Sequence, residues 1–208
     1  MGTSSTRPSI VFDLDGTLVE VGARDFAVYR DLLVEDGLTP LPFSRYWQLR
    51  RERTPLVDVL AETVEQAAGY VSGYVERREI RYEAVKYLDL DTVLPTVQQT
   101  LASLSGRFEC VLITSRRQAR ATEQQLVTLG LREHLRQVHC CDGEKTATVG
   151  LVENVALVVG DTEHDVRIAA HYGYRCFAVT TGIRSRQFLI EAGPTFVGDS
   201  LEELLRVL

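Results

Sequence analysis

Residues 10–18 read IVFDLDGTL, an apolar run that ends in two carboxylates and a glycine. Ile10, Val11 and Phe12 favour β-structure and carry no charge, which predicts a strand buried on both faces within a parallel sheet. Open α/β sheets place their ligands outside the carboxyl ends of the strands. The stretch therefore predicts a ligand site at Asp13 and Asp15.

The two acids are separated by a single residue, so in an extended chain their side chains leave on the same side. Two carboxylates this close repel each other unless a cation or a shared proton relieves them. Gly16 permits a sharp turn directly afterwards. Taken alone, the pattern also fits a simple acidic cap between a strand and a loop, so the rest of the chain decides between the two interpretations.

From Thr92 onward, apolar strand-like runs alternate with helical patterns, which is typical of βαβ units and a parallel sheet. The alternation predicts strands at residues 110–113, 137–141, 155–159, 175–180 and 195–197. It predicts helices at residues 96–104, 118–129, 165–172, 187–192 and 201–205. The fold class is therefore α/β, with a central parallel sheet between layers of helices.

The interval between residues 19 and 91 lacks this alternation and has helical periodicity instead. Helices are predicted at residues 25–34, at 44–53 with Ser44 as cap, after Pro55, and at 71–87. We interpret the interval as a helical lid inserted after the first strand. The expected organisation is a leader at 1–8, a core at 9–18 and 92–208, and a cap at 19–91.

Polar residues close the strands of the second half. Thr114 and Ser115 follow an apolar strand, where a hydroxyl and backbone N–H groups could bind a phosphate oxygen or simply cap a helix. Lys145 precedes a helix, where a lysine is electrostatically unfavourable unless it faces an anion such as Asp13 or a phosphate; an exposed lysine at a helix start is the alternative.

Asp161 and Asp165 follow another buried strand, again at its carboxyl end. Carboxylate and carbonyl oxygens are the ligands that Mg²⁺ prefers. Asp13 and Asp161 could supply two carboxylates, the main-chain carbonyl of Asp15 a third oxygen, and Asp165 a contact to a metal water. Helix capping by Asp161 or Thr162 is the simpler alternative.

The D-x-D-G-T sequence of residues 13–17 resembles the first motif of the haloacid dehalogenase (HAD) superfamily, in the version that phosphatases and phosphomutases carry. Thr114, Lys145 and the G-D-x-x-x-D sequence of residues 160–165 are similar to its second, third and fourth motifs. The resemblance implies a Rossmann-like three-layer core with an inserted α-helical cap of the C1 type. One departure is Glu20, where the family often has Asp.

By that resemblance, Asp13 is the nucleophile and Asp15 the general acid and base. The implied activity is Mg²⁺-dependent hydrolysis of a small phosphorylated metabolite through an aspartyl-phosphate intermediate, as in enzymes that resemble phosphoglycolate phosphatase. A phosphomutase is the alternative enzyme, and a binding or regulatory protein on the same scaffold is the alternative of another class.

Four arginines, Arg45, Arg50, Arg51 and Arg53, lie in the second predicted helix. Such a run is usually a solvated face. Arg50 and Arg53 are three residues apart and therefore share a side of the helix. If that side faces the core, the pair could bind a second anion of a substrate.

The chain has 208 residues, of which 45% are hydrophobic, and a formal net charge of −6. The acidic balance argues against nucleic acid as a partner. No apolar run reaches the length of a membrane span and no signal peptide pattern is present, so we expect a cytoplasmic protein without a membrane partner. Residues 1–6 formally fit an N-myristoylation pattern, although a disordered leader is the simpler expectation.

Overall fold

The computed structural model of the chain describes residues 7–208. Within that range the strands, numbered in chain order, are β1 (Ser9–Phe12), β2 (Val19–Glu20), β3 (Thr92–Val93), β4 (Glu109–Thr114), β5 (Gln137–Cys140), β6 (Val155–Gly160), β7 (Arg175–Val179) and β8 (Phe196–Gly198). Six of them form a parallel sheet in the spatial order β5-β4-β1-β6-β7-β8. The predicted parallel sheet is confirmed.

The first strand occupies the middle of this sheet, as its apolar sequence predicts. Ile10 pairs with Cys110 of β4 on one side and with Leu157 of β6 on the other. All four residues of β1 are buried. Because every neighbouring strand is parallel, the carboxyl ends of β1, β4 and β6 meet at one edge, where Asp13 follows β1.

Helices cover both faces of the sheet and give three layers. They are α6 (Val97–Ser105), α7 (Ala119–Thr128), α8 (Thr146–Val149), α9 (Glu163–Tyr172) and α10 (Arg186–Ala192). Ile10 and Phe12 pack into the cluster that contains Leu101 of α6, whereas Val11 packs into the cluster with Ile168 of α9. The alternating side chains of β1 thus join two apolar cores, one on each face.

Between β2 and β3 the chain is helical. The helices are α1 (Gly22–Glu35), α2 (Phe43–Arg51), α3 (Leu56–Ala61), α4 (Ala67–Tyr82) and α5 (Val85–Leu88). They bury an apolar cluster of their own that includes Val28, Leu32 and Leu60. The two short strands β2 and β3 pair antiparallel and connect this helical region to the sheet.

The predicted helix at residues 71–87 is wrong as a single element. It is divided into α4 and α5, because Ala84 adopts an extended backbone with φ −71° and ψ 139°. Glu83, just before the break, accepts hydrogen bonds from the backbone N–H groups of Arg117 (2.9 Å) and Gln118 (2.8 Å) on the core. A contact with a distant segment therefore sets this boundary, and helical periodicity does not contain that information.

Three further features differ from the sequence predictions, one of them the end of α2 at Arg51, which leaves Arg53 outside the helix that it was expected to share with Arg50. Ser44 does not cap α2, which begins at Phe43 after Pro42, and no side chain caps it. Proline at that position has its φ already fixed, so the helix starts there without a capping hydroxyl. The last predicted helix is a 3₁₀ segment, Leu201–Arg206.

The expected leader falls largely on residues 1–6, which lie outside the described residues, as does the N-myristoylation pattern. Arg7 and Pro8 contact the core: Arg7 donates to the Ser105 carbonyl (2.9 Å), and the Pro8 carbonyl accepts from the Glu109 N–H (2.9 Å). No helix in residues 7–208 is both long enough and apolar enough to span a membrane.

Candidate active site

Three buried carboxylates meet at the carboxyl edge of the sheet. Asp13 follows β1, Asp161 follows β6, and Asp165 lies in the first turn of α9. One oxygen from each can be chosen so that all lie within 4.8 Å of one another. An adjoining cavity of about 370 Å³ is lined by Asp13 and Asp161, and also by Asp15, Thr114, Ser115 and Lys145. The structure therefore brings six residues from distant parts of the sequence to one place.

Lys145 is the cation inside this acidic cluster. Its Nζ lies 3.0 Å from Asp13 Oδ1 and 2.6 Å from Asp165 Oδ1, and the residue is only 4% exposed. One ammonium group thus faces three carboxylates, which leaves an excess of negative charge. An additional cation would offset that excess.

The electrostatics of the carboxyl groups reflect this excess. Burial, together with Asp165 and Asp15, raises the pKa of Asp13 to about 6, although Lys145 opposes the shift. Burial and the neighbouring Asp13 raise the pKa of Asp161 well above its usual range. Both groups are therefore costly to keep ionised without a counter-charge.

One oxygen of Asp161 has no protein partner. Oδ2 accepts a hydrogen bond from the Ile183 N–H (2.8 Å), whereas Oδ1 is buried and makes no hydrogen bond. An orphaned carboxylate oxygen beside two other carboxylates fits a hard divalent cation, which prefers oxygen ligands. The residues present thus fit a magnesium site built from Asp13, Asp161 and Asp165.

Two glycines leave room for Asp161. A Cβ on Gly182 would lie 1.8 Å from Asp161 Oδ2, and a Cβ on Gly16 would lie 2.5 Å from it. Gly16 also has a φ of +82°, a backbone angle that residues other than glycine rarely adopt. The glycine of the D-x-D-G-T sequence therefore provides both the turn and the space for the carboxylate.

Thr114 and Ser115 line the cavity beside Lys145. The Ser115 hydroxyl donates to the Gly143 carbonyl (2.9 Å) and thereby ties the end of β4 to the loop that carries Lys145. The alternative interpretation of this pair as a helix cap is wrong, because α7 begins at Ala119 with Gln118 in the cap position.

Helix capping does occur at the start of α9. The Thr162 hydroxyl accepts a hydrogen bond from the His164 N–H (3.2 Å). The same hydroxyl donates to Asp165 Oδ2 (2.8 Å). Asp165 Oδ2 also accepts the capping hydrogen bond from the Thr162 N–H (3.3 Å), and Asp165 Oδ1 forms the ion pair with Lys145. The capping bond fixes the orientation in which Asp165 meets Lys145.

Asp15 is held by two arginines that sequence reasoning missed. Arg116 donates from Nε to Oδ2 (3.1 Å) and from Nη2 to Oδ1 (2.5 Å), and Arg24 donates from Nη2 to Oδ1 (2.5 Å). Both arginines also contact Asp91, at 3.0 Å from Arg24 and 3.1 Å from Arg116. Burial alone would raise the pKa of Asp15, but Arg116 and Arg24 hold it well below its usual range.

Arg50 and Arg53 do not line the cavity. The Arg50 Nε lies 3.0 Å from Oδ2 of Asp25, a fully buried carboxylate that Arg78 also contacts. Arg53 Nε lies 2.8 Å from Glu163, with about half of the arginine side chain exposed. The two arginines therefore have separate partners within the protein.

The neighbouring Arg51 joins the helical region to the core. It donates to the carbonyl groups of Gly182 (2.9 Å) and Thr180 (3.0 Å), and its own carbonyl accepts from the Ser185 N–H (3.0 Å). Residues 180–185, here called the docking loop, also contain the N–H of Ile183 that bonds Asp161. The same loop thus contacts both the end of α2 and the acidic cluster.

Comparison with known proteins agrees with this geometry. A model of the HAD-hydrolase-like family matches residues 130–204. Phosphoglycolate phosphatases of Cereibacter sphaeroides and Synechococcus elongatus are each 26% identical to the chain; the first match covers 97% of this chain and 99% of the relative, the second 96% of each. The chain is therefore similar to phosphatases of the HAD superfamily over nearly its whole length.

A solved HAD-like hydrolase of Streptococcus pneumoniae has the same fold, with a TM-score of 0.76 at 21% identity over 97% of this chain and 98% of that one. The D-x-D-G-T sequence and these relatives both indicate a phosphoric monoester hydrolase. Of the residues that sequence reasoning missed, Arg116 could have been found from its position two residues after Thr114. Arg24 and Asp91 belong to none of the motifs in the sequence.

Proposed function

We propose that this HAD protein is a magnesium-dependent phosphatase that hydrolyses a small phosphate monoester through an aspartyl phosphate on Asp13. The observation that carries the proposal is the position of Asp13, whose carboxylate lies 3.0 Å from Lys145 and within the Asp161–Asp165 cluster. A nucleophilic carboxylate beside a fixed cation suits attack on a negatively charged phosphoryl group.

In the first step, an oxygen of Asp13 attacks phosphorus, and the bond between phosphorus and the ester oxygen breaks. Asp15 is ionised at rest, so it first takes up a proton from solvent and gives it to the departing oxygen; the same carboxylate then accepts a proton from the water that attacks the aspartyl phosphate. Hydrolysis releases inorganic phosphate and regenerates the Asp13 carboxylate. Both steps balance without a further reactant.

The remaining residues neutralise and position the transferring group. Lys145 supplies positive charge, and Thr114 with the backbone N–H groups near Ser115 offers hydrogen bonds to phosphoryl oxygens. Mg²⁺ bound by Asp13, Asp161 and the main-chain carbonyl of Asp15, with Asp165 beside it, would neutralise charge on the phosphoryl oxygens.

We further propose that residues 19–91 act as a cap over the cavity. Tyr82 and Glu83, at the end of α4, line the same cavity as Asp13. The end of α2 is bound to the docking loop by Arg51. A cap in this position would exclude bulk water from the ester during the reaction.

Phosphoglycolate is the first substrate to test, because curated relatives that match nearly the whole chain carry the name phosphoglycolate phosphatase. The experiment measures phosphate release from phosphoglycolate and p-nitrophenyl phosphate, with Mg²⁺ and with EDTA. We expect release that requires Mg²⁺ and is lost in Asp13→Asn. Equal release by wild type and Asp13→Asn would refute the assignment of the nucleophile.

A further inference from the structure

The lysine and arginine side chains that line the cavity within the described residues are Lys145, Arg116 and Arg184. Lys145 is bound between Asp13 and Asp165, where it faces the transferring phosphoryl group in the proposed reaction. Arg184 is paired with Glu163 at 2.7 Å. Arg116 is paired with Asp15, the proposed acid and base. Each of the three cations therefore has different acidic partners.

The contact between Arg116 and Asp15 places a carboxylate on a guanidinium in the geometry that a ligand carboxylate would adopt. Two nitrogens of Arg116 donate to the two oxygens of Asp15. This paired arrangement is the one in which arginine recognises carboxylates most specifically. Asp15 is also the member of this pair that the proposed reaction needs elsewhere, at the ester oxygen.

The charges around Arg116 favour a ligand anion that replaces Asp15 over one that binds in addition to Asp15. The cavity wall also carries the carboxylates of Asp13, Asp161, Glu83 and Glu163, so a free anion entering beside them meets repulsion. An anion that replaces Asp15 on Arg116 keeps the charge around the guanidinium unchanged. Such an exchange avoids placing a second anion on one cation.

The exchange requires only a side-chain movement. The Asp15 backbone is fixed by a bridge with Val19, and the N–H of Gly16 donates to the Val19 carbonyl (2.8 Å). The Asp15 side chain is 25% exposed toward the cavity, whereas Arg116 is 3% exposed and held by Asp91 at 3.1 Å. Arg116 is therefore the fixed partner, and the Asp15 side chain can turn about its remaining contact with Arg24 (2.5 Å).

We propose that Arg116 is the specificity residue for a carboxylate on the substrate's leaving group, and that this carboxylate displaces Asp15 from Arg116. The inference rests on the proposed phosphatase function and adds the class of substrate, a phosphate monoester that carries a carboxylate. The displaced Asp15 keeps Arg24 on Oδ1, and its Oδ2, released from Arg116, is available to the ester oxygen. A substrate without the carboxylate leaves Asp15 bound to Arg116.

The test is a comparison of affinities in the Asp13→Asn background, where turnover does not consume the ligand. Calorimetry with Mg²⁺ measures binding of phosphoglycolate and of ethyl phosphate, which has similar size and no carboxylate. We expect Arg116→Met to weaken phosphoglycolate binding by about 10- to 100-fold. Ethyl phosphate binding should change by less than about threefold, because it makes no charge-assisted contact there.

Arg184→Met is the matched control, since Arg184 lines the same cavity but is bound to Glu163. It should leave the ratio of the two affinities unchanged. The inference is overturned if Arg116→Met weakens the binding of phosphoglycolate and of ethyl phosphate by the same factor. It is also overturned if only Arg184→Met abolishes the preference for phosphoglycolate over ethyl phosphate. Absence of phosphoglycolate binding also overturns it.

Arg116→Lys serves if the methionine variant does not fold, because it keeps the charge and removes the two-point contact. It should reduce phosphoglycolate affinity and leave ethyl phosphate affinity within about threefold. These affinities do not depend on hydrolysis. A failure of the proposed phosphatase activity would instead appear as no Mg²⁺-dependent phosphate release by the wild type.

Discussion

The ammonium nitrogen of Lys145 lies 3.0 Å from Oδ1 of Asp13, and both groups are almost completely buried. The two residues are far apart in the sequence, yet the parallel sheet brings them together. Removal of the ammonium would leave Asp13, Asp161 and Asp165 without a fixed counter-charge. This contact therefore concerns both the stability of the site and its proposed chemistry.

Lys145→Met should lower kcat/KM for p-nitrophenyl phosphate by about 100- to 1,000-fold, as expected when a preorganised electrostatic contact to the transition state is lost. Steady-state kinetics with Mg²⁺ measures the change. Lys86→Met is the control, because Lys86 is exposed and stacks on Tyr87 away from the cavity. Equal activity of the two variants would remove Lys145 from the proposed mechanism.

Asp161→Asn should stabilise the metal-free protein and abolish its stabilisation by Mg²⁺. The substitution relieves repulsion with Asp13 and keeps an oxygen for the Ile183 N–H, but it removes a carboxylate that we propose as a metal ligand. Thermal unfolding with EDTA and with saturating Mg²⁺ measures both effects. Wild-type Tm should rise by about 5–10 °C with Mg²⁺ at 100 times its Kd.

The control for this experiment is Asp89→Asn, at an exposed aspartate outside the acidic cluster. It should respond to Mg²⁺ as the wild type does. A full Mg²⁺ response in Asp161→Asn would exclude Asp161 as a ligand. A metal-free Asp161→Asn protein that is less stable than wild type would contradict the proposed repulsion.

The pattern of strands and acids made the core of the site predictable. Parallel strands end at one edge, so polar residues after apolar runs were expected to meet, and Asp13, Thr114, Lys145 and Asp161 do line one cavity. That inference needs only the strand order along the chain. The family resemblance then suggested a role for each residue.

The partners of Asp15 were not predictable in the same way. Arg24 lies on α1 and Asp91 lies just before β3, and only the folded helical region places them beside Arg116. No periodicity or fixed spacing in the sequence reveals which residues form buried ion pairs of this kind. The break at Ala84 has a similar origin, since the contacts of Glu83 with the core cannot be read from helical periodicity.

Asp13→Asn should gain stability relative to wild type as pH rises. The pKa of Asp13 is raised from 3.8 to about 6, so between these values the native state binds more protons than the unfolded state. The stability of the wild type therefore falls as pH rises through this window, and the asparagine variant lacks that contribution. The full difference corresponds to about 3 kcal/mol above pH 6.

Urea unfolding in EDTA at pH 4 and pH 7 measures this difference. The stability of the variant minus that of the wild type should be larger at pH 7 by roughly 2 kcal/mol, because part of the effect is already present at pH 4. Asp89→Asn should show no such change between the two pH values. A difference between Asp13→Asn and wild type that does not vary with pH would contradict the raised pKa.

Arg51→Ala should loosen the docking loop. The substitution removes two hydrogen bonds to the carbonyl groups of Thr180 and Gly182. We expect faster hydrogen exchange at the Ser185 N–H, which donates to the Arg51 carbonyl. Arg45→Ala is the control, since Arg45 bonds Glu62 within the helical region. Equal exchange in both variants would show that Arg51 does not hold the loop.

Arg50→Ala should destabilise the helical region more than Arg53→Ala does. Arg50 is a partner of the fully buried Asp25, whereas Arg53 is half exposed and pairs with Glu163. Since Arg78 and Tyr46 remain on Asp25, the expected loss for Arg50→Ala is about 1–3 kcal/mol in urea unfolding. Arg53→Ala should lie close to the wild type, as exposed pairs contribute little.

The same variants test whether these arginines bind a second anion of the substrate. If Arg50 serves Asp25 and Arg53 serves Glu163, the double alanine variant should change kcat/KM for phosphoglycolate and p-nitrophenyl phosphate by the same factor. A much larger loss for phosphoglycolate would show that the pair reads its carboxylate. That result would also compete directly with Arg116, whose bidentate contact with Asp15 predicts that the discrimination lies there.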